Sequence, residues 1–481
     1  MRCLRSIVVF SNFIAVVVLL TGCASRLPNH PDQLQYSALE FQLPEVETLV
    51  LENGIRLYLK EDRELPLVQV TAMIGAGAVT TPKEKTGFAD IFGSAWRTGG
   101  AGDRSPEELD AFLDRIAANL TASMGLYTSQ LDLSLRTQDL EQGVAVLADM
   151  LRRPRFDSER LELARLQAQE SVRRQNDSPG AISSRLLMAA LYPDSSLGYS
   201  PTHDSLARIT RHDMVDFQQT YFAPNELWMA VSGDFDRDEL MQLLQHNFGD
   251  WKQREVPEQV IPVVSRPESG SIQIVTKDLP QTTVLIGDLG LTKDNPDLHA
   301  VRVFNYILGG GGFNSRMMRE IRSNRGLAYS AYSYFQIGKR LPGPFVAGTE
   351  TKNASVVPAV ILMREIMTGL RENPVSDDEL MLAKESQINS FVFGFENTHS
   401  VVNRQLTLTF FDYPEDYLTN YTDRIAAVTA DDVQRVAREF VDPSRQQLVL
   451  VGDSAEFRAE LEQLGLPVIS VDLDEGSEIA R

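Results

Sequence analysis

Cysteine is almost absent from this 481-residue chain, with Cys3 and Cys23 its only two. That excludes a thiolate zinc site and any internal disulfide framework. Histidine is nearly as scarce: His30, His203, His212, His246, His299 and His399 never fall three or four positions apart, so no helix can present two imidazoles on one face. Positive charge is also short, 46 Lys and Arg against 66 Asp and Glu, for a formal net charge of −20. So acidic a surface disfavours nucleic acid and anionic lipid headgroups as partners.

The amino terminus is the exception to this acidity. Arg2 and Arg5 precede an apolar run from Ile7 to Leu20, interrupted by Ser11 and Asn12, which suits an export signal better than a membrane span. The run closes on Leu20-Thr21-Gly22-Cys23, which resembles the bacterial lipoprotein signal. The resemblance implies a signal peptide over residues 1–22, lipidation of Cys23 and a tether over 23–44. An uncleaved anchor helix is the alternative, and either way the body faces away from the cytoplasm. Ala24, rather than Asp, by the same resemblance favours the periplasmic face of the outer membrane. Lipid attachment also accounts for a mature chain with one thiol and no disulfide.

An apolar fraction of 43% is enough for substantial cores, and an internal repeat divides the body in two. Thr210 and Asp213, Pro224, strand Leu227–Val231 and Gly233-Asp234 recur 219 positions later as Thr429 and Asp432, Pro443, strand Leu448–Val451 and Gly452-Asp453. In each copy Thr caps a helix, Pro ends it, and an apolar strand runs to a Gly-Asp turn. Between the copies, residues 255–270 contain three prolines with flanking charges and read as a linker. The domains then span 45–254 and 271–456, with an acidic tail over 457–481.

Within the first domain, Asn53-Gly54 predicts a type I′ hairpin across Leu49–Leu59. Ser105-Pro106 starts a helix with Leu109, Phe112, Leu113 and Ile116 on one face, and Ser376 with Glu379 forms a capping box in the second domain. Strands and helices in mixed order indicate α+β layers.

The richest segment is Ile307–Tyr334, ILGGGGFNSRMMREIRSNRGLAYSAYSY. The glycines 309–312 break a helix, Ser315–Ser323 reads as a short basic helix, and Gly326 turns the chain into a strand over Leu327–Phe335. Taken alone, Arg319, Arg322 and Arg325 at three-residue spacing describe a solvated helix face, and Tyr329, in step with Ala331 and Ser333, a core residue. GGGGFNSR also lacks the Gly-Lys-Ser/Thr end of a phosphate loop.

Taken together, the segment resembles the C-terminal half of the pitrilysin (insulinase) family of zinc peptidases, where an Arg and a Tyr seven positions apart reach the substrate carbonyl. The matching residues are Arg322 and Tyr329. The family's other half carries a His-x-x-Glu-His helix that holds zinc and activates water. The matching segment is Gly87–Gly100, GFADIFGSAWRTGG, in which those positions are Asp90, Gly93 and Ser94. Glu170 falls near the family's third ligand and, without the His pair, reads as an ordinary helix carboxylate.

The resemblance covers roughly residues 45–452 and implies two homologous domains arranged as a clamshell. It implies no cofactor in this chain and zinc in a partner of the same family. The expected role is that of the non-zinc subunit of a heteromeric peptidase, lending Arg322 and Tyr329 to stabilise the developing oxyanion of an extended peptide. Gly309, Gly310, Gly311 and Gly312 would give room for substrate or partner backbone. The alternative is a catalytically silent scaffold at the outer membrane, since fold does not fix function.

Overall fold

The computed structural model describes residues 41–473, so the leader, Cys23, most of the tether and the end of the acidic tail lie outside the described residues. Twelve strands form two six-stranded sheets among these residues. In the first, β1 (Glu47–Val50), β2 (Arg56–Glu61), β3 (Leu67–Ile74), β4 (Asn119–Met124), β5 (Ser129–Arg136) and β6 (Leu227–Gly233) lie in the order β1-β2-β6-β3-β5-β4. In the second, β7 (Ser271–Thr276), β8 (Gln281–Leu289), β9 (Ala328–Phe335), β10 (Pro344–Lys352), β11 (Gln447–Gly452) and β12 (Val468–Ser470) lie in the order β12-β7-β11-β8-β10-β9.

Pairing repeats as well as order. β2 runs parallel to β6 as β7 does to β11, and the remaining steps out to β4 or β9 are antiparallel in both sheets. The repeated Thr-x-x-Asp signals are capping boxes, Thr210 accepting from Asp213 N and Thr429 from Asp432 N. Two details depart from the sequence reading. Gly54 takes φ +90° but Asn53 does not take positive φ, and Gly54 N bonds Leu51 O at 2.8 Å, so the first hairpin closes through a type I turn and a glycine bulge rather than a type I′ turn. Residues 457–470, expected as tail, form a helical turn and β12, which extends the second sheet in parallel beside β7. Apolar Phe457 and Leu461, both buried, anchor that turn against the pull of its acidic composition.

One face of each sheet carries its own helical layer. On the first sheet these are α1 (Phe88–Thr98), α2 (Pro106–Arg115), α3 (Leu140–Arg152), α4 (Ser158–Arg173), with α6 (Arg211–Tyr221) and α7 (Arg237–Phe248) following α5 (Pro179–Leu191). Phe92, Trp96, Leu109, Leu147, Phe217 and Leu244 are among the side chains buried there. Ser105 caps α2 in a full capping box with Pro106 at its first turn, and Leu109, Phe112 and Leu113 face inward as their spacing requires. On the second sheet the layer comprises α8 (Leu298–Asn305), α9 (Val356–Glu372), α10 (Asp377–Ser390) and, after α11 (Thr398–Phe410), α12 (Ala430–Phe440).

The other faces are covered by exchange. α5 belongs to the first half of the chain, yet Ile182, Leu186, Leu187 and Leu191 pack on Val275, Leu285, Val346, Val449 and Val451 of the second sheet. Gly287 on β8 makes the room, since a Cβ there would meet Leu187 Cδ1 at 2.8 Å. α11 occupies the equivalent place 219 positions later and lays Val402, Leu406 and Phe410 on Tyr58, Met73 and Ala230 of the first sheet. At roughly 2 kcal/mol for each large side chain withdrawn from water, four residues of α5 alone contribute about 8 kcal/mol to holding the halves together, as an upper bound.

One polar group interrupts the α11 seam. His399 lies between Ser232 Oγ (2.9 Å from Nδ1) and Thr71 Oγ1 (3.1 Å from Nε2), and Thr71 donates to Asp132 at 2.6 Å. Residues 251–270 contain no helix or strand and are tied down at Gln259, which is buried and donates to Gly75 O (2.6 Å) and Tyr127 O (3.1 Å).

Candidate functional site

The chain from α8 to β9 is irregular where the motif requires it. α8 continues as a π-helical turn over Tyr306–Gly310, a 3₁₀ turn spans Gly312–Asn314, and a second π-helical stretch covers Met318–Asn324. Such π segments recur at functional sites because the extra residue per turn re-aims side chains. Gly309 is needed for internal packing: a Cβ there would lie 2.4 Å from Ser333 N on β9. Gly312 takes φ +57° with nothing within 4 Å of its missing Cβ. At Gly309 the run therefore packs on the chain's own strand, and only Gly310, Gly311 and Gly312 retain exposed surface.

Arg322 projects from the second π stretch and lies between two rings, with Cζ 4.4 Å from the Tyr329 centroid and 4.7 Å from that of Phe313. Neither the Arg322 guanidinium nor the Tyr329 hydroxyl has a hydrogen bond or ion pair among the described residues. Arg322 differs in its surroundings from Arg316 and Arg319, the two arginines before it. Arg316 makes a two-pronged pair with Glu379 (2.9 and 2.8 Å), and Arg319 reaches Glu379 (3.4 Å) and Glu320 (3.3 Å). Those pairs, Arg316 foremost, hold the Glu379 carboxyl down at about 2. Arg322 alone of these three spends its charge on aromatic faces and keeps its N–H groups free.

Strand alternation would bury Tyr329, yet it is 81% exposed. The cause is a bulge. β10 and β9 pair Thr349 with Ala331 and Thr351 with Ala328, so Tyr329 and Ser330 together stand opposite Glu350. The added residue breaks the two-residue period and turns Tyr329 out while Ala331 and Ser333 stay in. Phe313, 67% exposed at the end of the glycine run, is the participant that sequence reasoning missed. A large aromatic placed directly after four glycines was its only signal. Tyr332 and Tyr334 were also missed as a pair; their rings stack 6.3 Å apart at 8° on the same strand.

The first domain's half is built differently. Gly87 caps α1 in the left-handed conformation, φ +96°, and Phe92 and Trp96 seat the helix in the core, Trp96 Nε1 donating to Met150 O at 2.7 Å. Asp90, Gly93 and Ser94 share one face of α1. Asp90 is exposed and has no hydrogen-bond or ion-pair partner among the described residues; protein crowding around it raises its carboxyl above the usual aspartate value. Gly93 is buried against β4, where a Cβ would meet Ala122 O and Ser123 Cα at 3.3 Å.

Ser94 is half-buried and contributes only its carbonyl, which accepts from Thr98 Oγ1 at 2.9 Å. Glu170 is occupied by its own helix, receiving Arg173 at 2.7 and 2.8 Å and also Arg174, which together hold its carboxyl at about 2.

These residues do not fit zinc. A structural or catalytic zinc takes three or four N, S or O ligands, whereas this face offers one aspartate, a glycine pressed on a strand and a serine. Among the described residues no group of three or more His, Cys, Asp and Glu could hold a metal ion.

Comparison with known proteins bears on the family and the fold. The model described as "Insulinase (Peptidase family M16)" matches residues 56–204, and that described as "Peptidase M16 inactive domain" matches residues 208–387. An uncharacterized zinc protease of Streptomyces coelicolor is 26% identical over 361 residues, 73% of this chain and 78% of that protein. The non-peptidase homolog YmxG of Helicobacter pylori is 23% identical over 409 residues, 83% of this chain and 91% of its own.

Among solved structures, a peptidase M16 inactive domain from Pseudomonas fluorescens superposes with TM-score 0.75 at 22% identity, covering 85% of this chain and 98% of that one. The periplasmic protease PqqL of Escherichia coli superposes with TM-score 0.72 at 16% identity, covering 88% of this chain but 47% of its own. With two family models spanning more than half its length and the duplicated sheets that the fold requires, the chain belongs to the insulinase, or M16, peptidase family.

Proposed function

We propose that this chain is the non-zinc subunit of a heteromeric M16-type peptidase and that it lends Arg322 and Tyr329 to a site completed by a zinc-bearing partner. The observation that carries the reading is the free, ring-held Arg322 beside an outward-turned Tyr329. Peptide hydrolysis builds negative charge on the carbonyl oxygen, and donors fixed in advance stabilise that charge more than they stabilise the substrate. Stacking orients the guanidinium without consuming a single N–H. The bulge at Tyr329 and Ser330 gives the phenol the same freedom.

A face of α1 that cannot hold zinc supports assigning the metal to another polypeptide. The match to 47% of the PqqL chain supports the same division, because it equates this chain with about half of a longer peptidase. Extended peptides are the expected substrates, since backbone pairing recognises them irrespective of sequence. The lipoprotein signal at Cys23 would hold the assembly to the periplasmic face of the outer membrane.

A silent scaffold is the second reading. Gly93, packed against β4, favours it, because the position matching the family's Glu leaves little space for a side chain. It gives no account of two adjacent unpartnered donors at Arg322 and Tyr329. The experiment is recovery of the chain with its partners from its own envelope extract, scoring peptide hydrolysis and zinc content. Activity in a complex with a zinc-bearing family member, exceeding either chain alone, supports the subunit reading. A chain that recovers no such partner and leaves hydrolysis at background is a scaffold.

A further inference from the structure

A second group of cations lies among α8, the β9–β10 loop, α11 and the segment 411–421, and the function above does not use it. Lys339 Nζ donates to Tyr413 Oη at 2.9 Å and lies 5.5 Å from the Phe411 ring. Arg302 Nη2 donates to Tyr417 Oη at 3.4 Å, its Cζ is 5.7 Å from the Tyr421 ring, and its buried Nε has no partner. Arg404 stands 4.6 Å over Phe395, its guanidinium without a hydrogen bond or ion pair among the described residues.

Two further groups complete the cluster. Lys293, 5.3 Å from the Tyr413 ring, is paired with Asp294. His299, 8% exposed, leaves Nε2 unpartnered between the rings of Tyr417 and Tyr421.

Elsewhere the half-buried Arg185 and Arg364 bond backbone carbonyls, whereas Arg97, Arg104, Arg316 and Arg371 each have a carboxylate. Here only Lys293 does, in a protein of net charge −20. Burial, then repulsion from Arg302 and Lys293, lowers the Lys339 pKa; burial, with Arg302 adding to it, does the same to Arg404. Like charges gathered in partly desolvated surroundings are costly unless something neutralises them. The tyrosines point to what that is. Tyr413 and Tyr417 already accept from Lys339 and Arg302, so their own O–H hydrogens remain free to donate to an acceptor with several oxygens.

We propose that Arg302, Lys339 and Arg404, with the hydroxyls of Tyr413 and Tyr417, form a binding site for an oxyanion, a carboxylate or a phosphate group. The site is separate from Arg322 and Tyr329 and does not depend on the partner reading. The test is isothermal titration of the full chain with inorganic phosphate and, separately, with succinate, at constant ionic strength in a buffer free of other oxyanions.

The expected result is binding with Kd of about 1 mM or tighter. Arg404→Gln and Lys339→Met should each raise that Kd by about tenfold or more, the worth of one charge-assisted hydrogen bond. Tighter phosphate than succinate assigns a phosphate ligand, and the reverse a carboxylate. Failure of both anions to bind, or binding that neither variant weakens, overturns the proposal.

Discussion

Replacing Tyr329 with Phe tests the proposed function most directly, because it deletes one hydroxyl and keeps the ring on which Arg322 lies. Loss of a single preorganised oxyanion donor costs about 10²–10³ in turnover. Arg322→Ala removes the charged donor and should cost at least as much. Phe313→Ala supplies the internal scale. That ring is 67% exposed and lies 4.7 Å from the guanidinium, so its cation–π contact belongs at the exposed end of the range, about 0.5–1 kcal/mol. Converted at 1.36 kcal/mol per decade, the loss is about two- to fivefold.

The expected order of damage is therefore Arg322→Ala, then Tyr329→Phe, then Phe313→Ala. Turnover by the assembled complex should show it, while the affinity between subunits stays constant for Tyr329→Phe. Wild-type turnover in both Tyr329→Phe and Arg322→Ala would refute the role given to the pair. An equal, small loss in all three would reduce the pair to a surface packing feature.

Two further perturbations address the frame. Leu186→Ala on α5 empties a fully buried position in the exchanged seam and should destabilise the chain by about 2–5 kcal/mol in urea unfolding, whereas the exposed Leu166→Ala should change it little. Burial, with Arg302 and Arg424 adding repulsion, pushes His299 down to about 4 from 6.5. The folded chain thus binds this proton less readily than the unfolded one. Its stability is full above pH 6.5 and declines towards pH 4, by about 3 kcal/mol in all at 1.36 kcal/mol per unit. The urea midpoint measured against pH in phosphate-free buffer should be flatter across that window in His299→Phe; parallel curves would remove His299 from the account.

The duplication was legible because its signals are local. Thr210 and Thr429 cap helices by chemistry that depends on three neighbouring residues, and the apolar runs Leu227–Val231 and Leu448–Val451 need no distant partner to be seen. That Arg322 and Tyr329 meet was legible through motif resemblance alone, since helix and strand periodicity pointed to a solvated stripe and a core tyrosine. What escaped depends on contacts far apart in sequence. Nothing in PGAISSRLLMAAL says that α5 covers the other domain's sheet, as the same apolar face would suit either one.

The bulge at Tyr329 and Ser330 is set by register against β10, and the cation cluster draws on residues from Lys293 to Tyr421. Residues 457–470 were misjudged because acidic composition outweighed Phe457 and Leu461, two apolar residues that one helical turn suffices to bury.

The paired sheets also set the helix of residues 88–98 against a counterpart in the second domain. By strand order β4 corresponds to β9, β5 to β10 and β3 to β8, and the helix following β3 corresponds to the one following β8. Through the pairings of Leu131 with Ala122 and Ala347 with Ser333, those last two residues occupy equivalent places on the two edge strands. Gly93 packs against Ala122 and Gly309 against Ser333. The two domains thus share one contact, glycine on edge strand.

The two contacts differ in tightness, and that difference can be measured. A Cβ at 309 would lie 2.4 Å from a backbone nitrogen, while one at 93 meets its nearest atoms at 3.3 Å. Gly309→Ala should therefore cost about 1–3 kcal/mol and displace the turn that presents Phe313 and Arg322. Gly93→Ala, offset by the better helix propensity of alanine, should fall within about 1 kcal/mol of wild type. If Gly93→Ala proves the more damaging of the two, α1 is held on β4 for a purpose of its own, and the equivalence between the two glycines fails.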